Sequence, residues 1–272
     1  MEKQAVLYQV DAFAEQPFQG NPAGVCLLNQ PVPDDWMQKL AMEMNLAETA
    51  FVLMQGETIN LRWFTPTVEV ELCGHATLAS AHVLWESGLI QIDQEIAFTT
   101  RFHGALLCRQ SEQGIEMNFP AVPPQACENP PQFSASIQEH SRNVCKTQYD
   151  YLVEVESEAA VRSAKPDLEK IAQIASRGLI LTSTAETEGI DFVSRFFAPA
   201  AGVPEDPVTG SAHCTLGPYW QKRLNRDNLL GYQCSQRGGK VATRMEDDRV
   251  WLGGKAVTVF SAQLSNEAML GS

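Results

Sequence analysis

Hydrophobic and polar positions alternate along much of the N-terminal part of the chain, which predicts short strands separated by turns and two helices. Trp36, Leu40 and Met44 recur on one helical face behind Asp34 and Asp35, two candidate N-caps, so this stretch predicts a helix to Met44. The predicted strands are Ala5–Phe13, Val25–Leu28, Glu48–Leu53 and Thr58–Phe64, with a turn at Asn21–Gly24, a second helix from Gly74, and glycine-separated strands over Glu95–Phe119.

Five prolines between Pro120 and Pro131 interrupt any regular pattern, so they predict a boundary between two halves, residues 1–120 and 121–272. The last strand or tail could pack back on the first half. Beyond the boundary, the pattern predicts helices at Ser136–Arg142 and Asp167–Ser176, strands at Tyr151–Val155, Leu179–Thr182 and Asp191–Phe197, and hairpins beside the glycine pairs at 238–239 and 253–254.

An internal echo links the two halves. Arg62–Pro66 is matched by Arg195–Pro199, an aromatic strand that ends at proline, and each copy is followed by an acidic loop and a helix that begins at Gly74 or Gly210. The offset between matched positions grows from 133 to 136 residues, so the second loop is three residues longer. This order of strand, loop and helix predicts a duplicated unit.

The two glycine-led helix starts are candidate anion sites. Unpaired N–H groups and the positive end of the helix dipole favour a carboxylate there, and Gly74 and Gly210 permit its close approach. A carboxylic acid held between the two starts would have its α-proton acidified, which favours proton transfer at carbon. The alternative is that both glycines only allow tight packing of helix and strand.

Four side chains near these turns are candidate acids and bases. Glu48 begins an apolar strand, where desolvation favours a protonated carboxyl suited to proton shuttling. His75 lies in a first helical turn, where the dipole favours the neutral ring. Asp206 and Ser211 flank the second helix start, where capping residues are also common. For Glu48 a solvent-facing edge position, and for His75 a structural role, remain alternatives.

Composition excludes several classes of protein. The chain has 272 residues, 44% of them hydrophobic, and no apolar run of about 18 residues that would predict a membrane span. A net charge of −13 without basic clusters argues against nucleic acid and anionic membranes as partners. Seven scattered cysteines without a C-x-x-C motif argue against a disulfide framework, so we expect a soluble cytoplasmic protein.

Cofactor motifs are also missing from the sequence. It contains no G-x-G-x-x-G after a strand, no phosphate-binding loop and no G-x-S-x-G elbow. His75 and His82 lie seven residues apart and His213 adjoins Cys214, but no third ligand joins either pair at a fixed spacing. The missing motifs therefore argue against a nucleotide-binding protein and a hydrolase, and the sequence predicts no metal.

Several motifs together resemble a known family. They are VDAF, GNPAGV, AETAF, RWFTPTVEVELCGHATLASAHVL and EDPVTGSAHCTLGPYW. Over essentially its whole length the chain resembles the PhzF-like phenazine biosynthesis family, within the diaminopimelate epimerase-like superfamily. The resemblance implies an α+β fold of two pseudo-symmetric halves, each a curved, mostly antiparallel, barrel-like sheet around a central helix, with the active site between them. It also implies a homodimer.

The resemblance further implies a reaction. The best-known family activity isomerises a dihydro-hydroxyanthranilate by moving a proton between ring carbons, without metal or organic cofactor. Carried over by motif, Glu48 would be the general acid/base, with His75, Asp206 and Ser211 as supporting catalytic groups. The substrate, a small carboxylate, would contact Asn21, Cys73, Gly74, Thr209 and Gly210.

Two alternatives stay open. Related racemases and epimerases use a cysteine at each helix start, and Cys73 fills the first of these positions while Thr209 fills the second. A two-base racemase that uses Cys73, with Cys214 about one helical turn beyond Thr209, is therefore the first alternative. The second is a protein that binds a small anion without catalysis.

Overall fold

A computed structural model describes residues 5–133, 137 and 141–270. The chain forms two compact units, with boundaries after Asn118 and after Leu252. Unit 1 comprises the residues before Phe119 together with those from Gly253 onward, and unit 2 comprises Phe119–Leu252.

The elements follow one another in chain order. The first group is β1 Val6–Ala12, β2 Asn21–Leu28, α1 Asp34–Met44, β3 Glu48–Gln55, β4 Thr58–Phe64, β5 Glu69–Val70, α2 Gly74–Glu86, β6 Ile96–Thr100, β7 Gly104–Ser111 and β8 Gly114–Pro120. The second group is β9 Gln125–Ala126, β10 Ser141–Lys146, β11 Asp150–Val155, α3 Glu158–Ser163, α4 Leu168–Ala172, β12 Gly178–Thr184, β13 Phe192–Ala198, β14 Val203–Asp206, α5 Gly210–Leu224, β15 Asn228–Gln233, β16 Gly239–Glu246 and β17 Arg249–Gly254. The chain continues with β18 Ala256–Gln263 and α6 Asn266–Leu270.

Unit 1 is a mixed, mostly antiparallel sheet with α2 against it. Strand β1 pairs with β18 and β2, β3 with β4, β4 with β5, β6 with β7 and β7 with β8, all antiparallel, while β2 with β3 and β4 with β6 are parallel. Ten of the 13 residues of α2 are buried, as expected for a helix that is apolar all round. It packs on β1, β2 and β3, whereas α1 packs on β3 through Trp36 and Phe51.

Unit 2 repeats the same order of pairings around α5. Strands β10 with β11, β12 with β13, β13 with β14 and β15 with β16 are antiparallel, and β11 with β12 and β13 with β15 are parallel. Nine of the 15 residues of α5 are buried. Pro218 lies inside α5 and has no N–H for the carbonyl of Cys214, which instead accepts a 2.9 Å hydrogen bond from Val122 N–H. The predicted α+β class and its duplication are confirmed.

The sequence echo corresponds to the same contact in each unit. Arg62 donates two hydrogen bonds to Glu69, of 2.7 and 2.8 Å, and Arg195 donates two of the same lengths to Glu205. Each guanidinium also lies over a phenylalanine ring two residues on, with centroid distances of 5.2 and 4.8 Å. These bidentate pairs fix the loop that leads to each central helix, which explains why the arginine, the aromatic strand and the glutamate recur together.

Two predictions are wrong in the N-terminal half. Asn21–Gly24 is the start of β2 and not a turn, because its backbone pairs with β1 on one side and, from Ala23 onward, with β3 on the other. The strand contacts therefore override the local Asn-Pro signal. Helix α1 begins at Asp34 with Pro33 as its N-cap, so Asp34 and Asp35 are first-turn residues and not caps.

Two predicted helices in the second half also differ. Helix α4 ends at Ala172 and not at Ser176, because Arg177 N–H bonds to Tyr149 carbonyl and draws the chain toward β12. Ser141 and Arg142 belong to β10, where Ser141 pairs with Val155. Of the remaining predicted helix at 136–140, only residue 137 is described, and it is helical.

Candidate active site

In unit 1, the polar residues of the site lie at the beginning of two parallel strands. Asn21 is the first residue of β2 and Glu48 is the first of β3, and Ala23 pairs with Glu48. Because side chains two apart on a strand share a face, Asn21 and Glu48 lie on the same side of the sheet. Gly20 precedes Asn21 with φ +64°, and a Cβ there would lie 2.1 Å from Ala12 carbonyl oxygen, so only glycine fits this approach.

The start of α2 supplies two further groups. Cys73 is the N-cap, with extended backbone, and its side chain makes no capping hydrogen bond among the described residues. Gly74 and His75 are the first two helical residues. First-turn N–H groups of a helix have no partner within the helix, so an uncapped start of this kind can bind an anion.

These residues meet around the imidazole of His75. Its Nε2 lies 3.2 Å from Oε2 of Glu48, and its Nδ1 lies 3.3 Å from the side-chain nitrogen of Asn21. Cys73 Sγ lies 3.5 Å from Nδ1 and 3.9 Å from Nε2. The structure therefore brings together Asn21, Glu48, Cys73 and His75, four residues that the sequence singled out.

Burial decides the charge of His75. The ring is 6% exposed, and burial lowers its pKa to about 4, so it is neutral near pH 7. The contact of the Asn21 amide nitrogen with Nδ1 fits the tautomer that carries its proton on Nε2, the ring nitrogen nearer Glu48, although the 3.2 Å approach of Nε2 to Oε2 does not have hydrogen-bond geometry. Glu48 itself is half-buried, with 20% of its side chain exposed. A neutral donor thus faces a partly accessible carboxyl group.

In unit 2, the corresponding helix start is organised by Gln233. Thr209 is the N-cap of α5, and its N–H donates to Gln233 Oε1 at 2.9 Å. The amide nitrogen of Gln233 donates to Asp206 carbonyl oxygen at 2.7 Å, and Thr209 Oγ1 donates to Asp206 Oδ2 at 2.5 Å. Asp206 is therefore bound to the Thr209 hydroxyl, while Ser211 is exposed on the first turn of the helix.

Gln233 was not identified from the sequence. It is fully buried at the end of β15, in a segment that otherwise carries only a strand pattern, and its partners lie 24 and 27 residues away. A polar residue at a buried strand position was the only available signal.

The histidine and the cysteine of α5, His213 and Cys214, are buried in the core. Burial raises the pKa of Cys214 to about 12, so its thiol stays protonated near pH 7. Burial lowers the pKa of His213 to about 4, although a hydrogen bond with Thr209 carbonyl oxygen acts in the opposite direction. His213 packs against Phe192, with ring centroids 5.9 Å apart.

A possible metal-ligand group is present where the sequence predicted none. One ligand atom from each of Glu48, Cys73 and His75 lies within 4.8 Å of the other two. His82, which the sequence paired with His75, instead faces Glu86 at 3.6 Å and Thr258 at 3.1 Å.

In the described part of the chain, no helix is long and apolar enough to cross a membrane.

Known proteins match this chain over nearly its whole length. A family model for phenazine biosynthesis-like proteins, PhzC-PhzF, matches residues 10–262. A protein from Halalkalibacterium halodurans, described as an uncharacterized isomerase, is 47% identical over 260 residues, which cover 95% of this chain and 97% of that protein. A human phenazine biosynthesis-like domain-containing protein is 37% identical over 290 residues, covering 95% and 98%.

Solved structures of similar proteins also match this chain over nearly its whole length. A PhzF family protein from Enterococcus faecalis has a TM-score of 0.91 and 37% identity, with 97% of this chain and 100% of that chain covered. A probable proline racemase from Agrobacterium radiobacter has a TM-score of 0.62 at 11% identity and shares the fold. Relatives of this chain are described as isomerases, and the chain falls in this class of enzyme. Within that class, the chain belongs to the PhzC-PhzF family of phenazine biosynthesis-like proteins.

Proposed function

We propose that this isomerase moves a proton at carbon in a small carboxylate-bearing substrate, with Glu48 as the general acid and base and without a cofactor. The observation that carries the proposal is the 3.2 Å contact between Glu48 and a buried, neutral His75. A neutral imidazole packed beside the carboxyl group can help to position it without neutralising it as a cation would.

The proposed chemistry has two proton transfers. Glu48 takes a proton from the carbon that bears the carboxylate, or from a carbon next to a double bond conjugated with it, and the electron pair left behind delocalises toward the carboxylate. The protonated carboxyl group of Glu48 then returns the proton to the substrate. For an isomerisation, it returns the proton to a second carbon. The net reaction moves one hydrogen and consumes neither electrons nor water.

The anion that develops needs stabilisation, for which the start of α2 is suited. Its first-turn N–H groups carry no side-chain cap from Cys73, and Gly74 has no side chain to obstruct a carboxylate. Donors that point to where charge develops are the largest single source of rate acceleration in many enzymes. In this proposal Asn21 has two roles: it orients His75 and contacts the substrate.

Asp206, Thr209, Gly210 and Ser211 enter the proposal from the resemblance alone. Asp206 and Ser211 are proposed as supporting catalytic groups, and the other two as substrate contacts. In unit 2, Asp206 accepts a hydrogen bond from Thr209 and Ser211 is exposed. Neither observation assigns a catalytic role to these residues. Asp206→Asn and Ser211→Ala test this part: a fall in kcat supports a catalytic contribution, and unchanged kcat and KM contradict it.

A racemase that uses Cys73 is the second candidate, and the 3.5 Å distance between Cys73 Sγ and His75 Nδ1 favours it. A two-thiol mechanism also needs a thiol in the second position, which here is Thr209. Cys214 is a poor substitute because burial raises its pKa to about 12. A lone Cys73 paired with Glu48 is the form of this candidate that the residues allow.

The experiment screens cyclic and α-amino carboxylic acids for uptake of deuterium from D₂O, using wild type, Glu48→Gln, Cys73→Ser and the exposed control Glu57→Gln. We expect exchange in wild type, Cys73→Ser and Glu57→Gln, but not in Glu48→Gln. Exchange that survives Glu48→Gln and disappears in Cys73→Ser identifies the racemase instead. Saturable binding of an acid without exchange in any protein would indicate a binding protein.

Two further predictions accompany the proposal, of which the first, the homodimer, comes from the resemblance. The chain is proposed to form a homodimer, which light scattering of the purified protein tests directly. A cytoplasmic location is proposed from the seven scattered cysteines, for which the structure describes seven free thiols. Cell fractionation tests this location.

A further inference from the structure

We propose that Glu48, Cys73 and His75 form an inhibitory site for a soft divalent cation, with Zn²⁺ as the expected ion. The inhibitory part rests on the proposed function, since the ion would occupy the group that carries the proton. The binding part does not, because it depends only on the three ligands and their geometry. Spacing in the sequence does not reveal this site, because Glu48 comes from β3 and the other two ligands from the start of α2.

The distances between the ligand atoms are close to those of a tetrahedral site. Zinc lies about 2.3 Å from sulfur and about 2.0–2.2 Å from nitrogen and oxygen, so neighbouring ligands of one ion are roughly 3.2–3.6 Å apart. His75 Nε2 and Glu48 Oε2 are already 3.2 Å apart, and Cys73 Sγ is 3.9 Å from Nε2. All three ligand atoms lie within 4.8 Å of one another, but Cys73 Sγ lies nearer Nδ1, at 3.5 Å, so rotation of the Cys73 side chain about its Cα–Cβ bond toward Nε2 is needed to complete the set.

The ligand chemistry selects the ion. One thiolate, one imidazole and one carboxylate form a mixed sulfur, nitrogen and oxygen set, which favours Zn²⁺ or Co²⁺ over Mg²⁺ and Ca²⁺. Three protein ligands leave a fourth position for water or a substrate carboxylate, as in open zinc sites. Cys73 and His75 are buried, and the exposed part of Glu48 provides the approach from solvent.

Binding has a defined proton balance. The Cys73 S–H bond breaks, a sulfur–metal bond forms, and one proton is released to solvent. The ring proton of His75 moves from Nε2 to Nδ1, which frees the Nε2 lone pair for the metal. Nδ1–H then needs an acceptor, which the Asn21 amide supplies when it turns over and presents its oxygen at the present 3.3 Å contact. Asn21 is thus the positioning residue of the metal site.

The test for binding is spectroscopic and needs no substrate. Full-length protein, freed of metal with a chelator, is titrated with Co²⁺ as wild type, Cys73→Ser, Asn21→Leu and the control Cys127→Ser, which removes a partly exposed thiol elsewhere. We expect a sulfur-to-cobalt charge-transfer band at one equivalent in wild type and Cys127→Ser, no such band in Cys73→Ser, and about 10–100-fold weaker binding in Asn21→Leu. Absence of the band in wild type, or an equal band in Cys73→Ser, overturns the proposal.

The test for inhibition is separate. Deuterium exchange by wild type, measured at Zn²⁺ equal to ten times its dissociation constant, is expected to fall about tenfold and to recover when a chelator is added. Exchange unaffected by saturating Zn²⁺ overturns inhibition even if the cobalt band is present. A cobalt band in a protein that exchanges no substrate contradicts the proposed function and leaves the metal site supported, so the two failures are distinguishable.

Discussion

Replacing His213 by asparagine should make the fold more resistant to mild acid. Burial lowers the pKa of His213 from 6.5 to about 4, so the unfolded chain binds this proton more readily than the folded chain. The contribution of the neutral, buried His213 to the free energy of unfolding is fully present above pH 6.5 and is lost as the pH falls toward 4. From these two values, linkage gives a loss of about 2 kcal/mol at pH 5 relative to pH 7.5. Burial lowers the pKa of His75 to about 4 as well, which adds a similar loss from unit 1.

Asparagine suits this test because its amide nitrogen can replace Nδ1 as the donor to Thr209 carbonyl oxygen, a 2.8 Å contact, while it does not titrate. Urea unfolding followed by tryptophan fluorescence at pH 7.5 and 5 gives the free energy of unfolding of each protein. We expect His213→Asn to lose about 2 kcal/mol less than wild type between the two pH values. The control is His103→Asn, which removes a histidine that is 44% exposed. Equal losses in wild type and His213→Asn would refute the reasoning.

Three other predictions concern stability and thiol reactivity. Arg195→Met should lower the free energy of unfolding by about 2–3 kcal/mol, since it leaves half-buried Glu205 without its bidentate partner, and Arg62→Met should cost less because Glu69 keeps a 2.8 Å hydrogen bond from Arg101; denaturation in urea measures both, and a variant as stable as wild type would contradict the shared role. Gln233→Leu should cost about 2–4 kcal/mol by the same assay, because it leaves two backbone groups at the start of α5 unpaired; a cost below 1 kcal/mol would show that water replaces the amide. Cys26 and Cys214, whose pKa values burial raises to about 12, should react with a disulfide reagent at pH 8 only after unfolding; rapid labelling of either in the native protein would disprove this.

The regular parts of the fold were predictable because their signals are local. Strand β4 matches its predicted bounds, and α2 begins at the predicted Gly74, since apolar periodicity and a glycine-led start are properties of a short window. The repeat was predictable for a different reason. Arg62 and Arg195 hold matched glutamates, so the contact that fixes each loop also preserved the residues that make the echo visible.

What the sequence could not provide were contacts between distant elements. The local Asn-Pro signal predicts a turn at Asn21–Gly24, whereas pairing with β1, and from Ala23 onward with β3, makes this segment the start of a strand. Gln233 gave no motif because its role depends on reaching the start of α5 from the end of β15. Likewise, Glu48 and His75 were each recognised, but their 3.2 Å contact, and with it the possible metal-ligand set, follows only from the packing of α2 on β3.

The central claim is that Glu48 carries the proton. The most direct test is the rate at which a carbon-bound hydrogen of the substrate exchanges with D₂O, measured by NMR for wild type, Glu48→Gln and Glu57→Gln at equal concentrations of folded protein. We predict a fall of about 10²–10⁴-fold in Glu48→Gln, the usual contribution of a general acid or base, and no change in Glu57→Gln. Equal exchange rates in wild type and Glu48→Gln would contradict the claim.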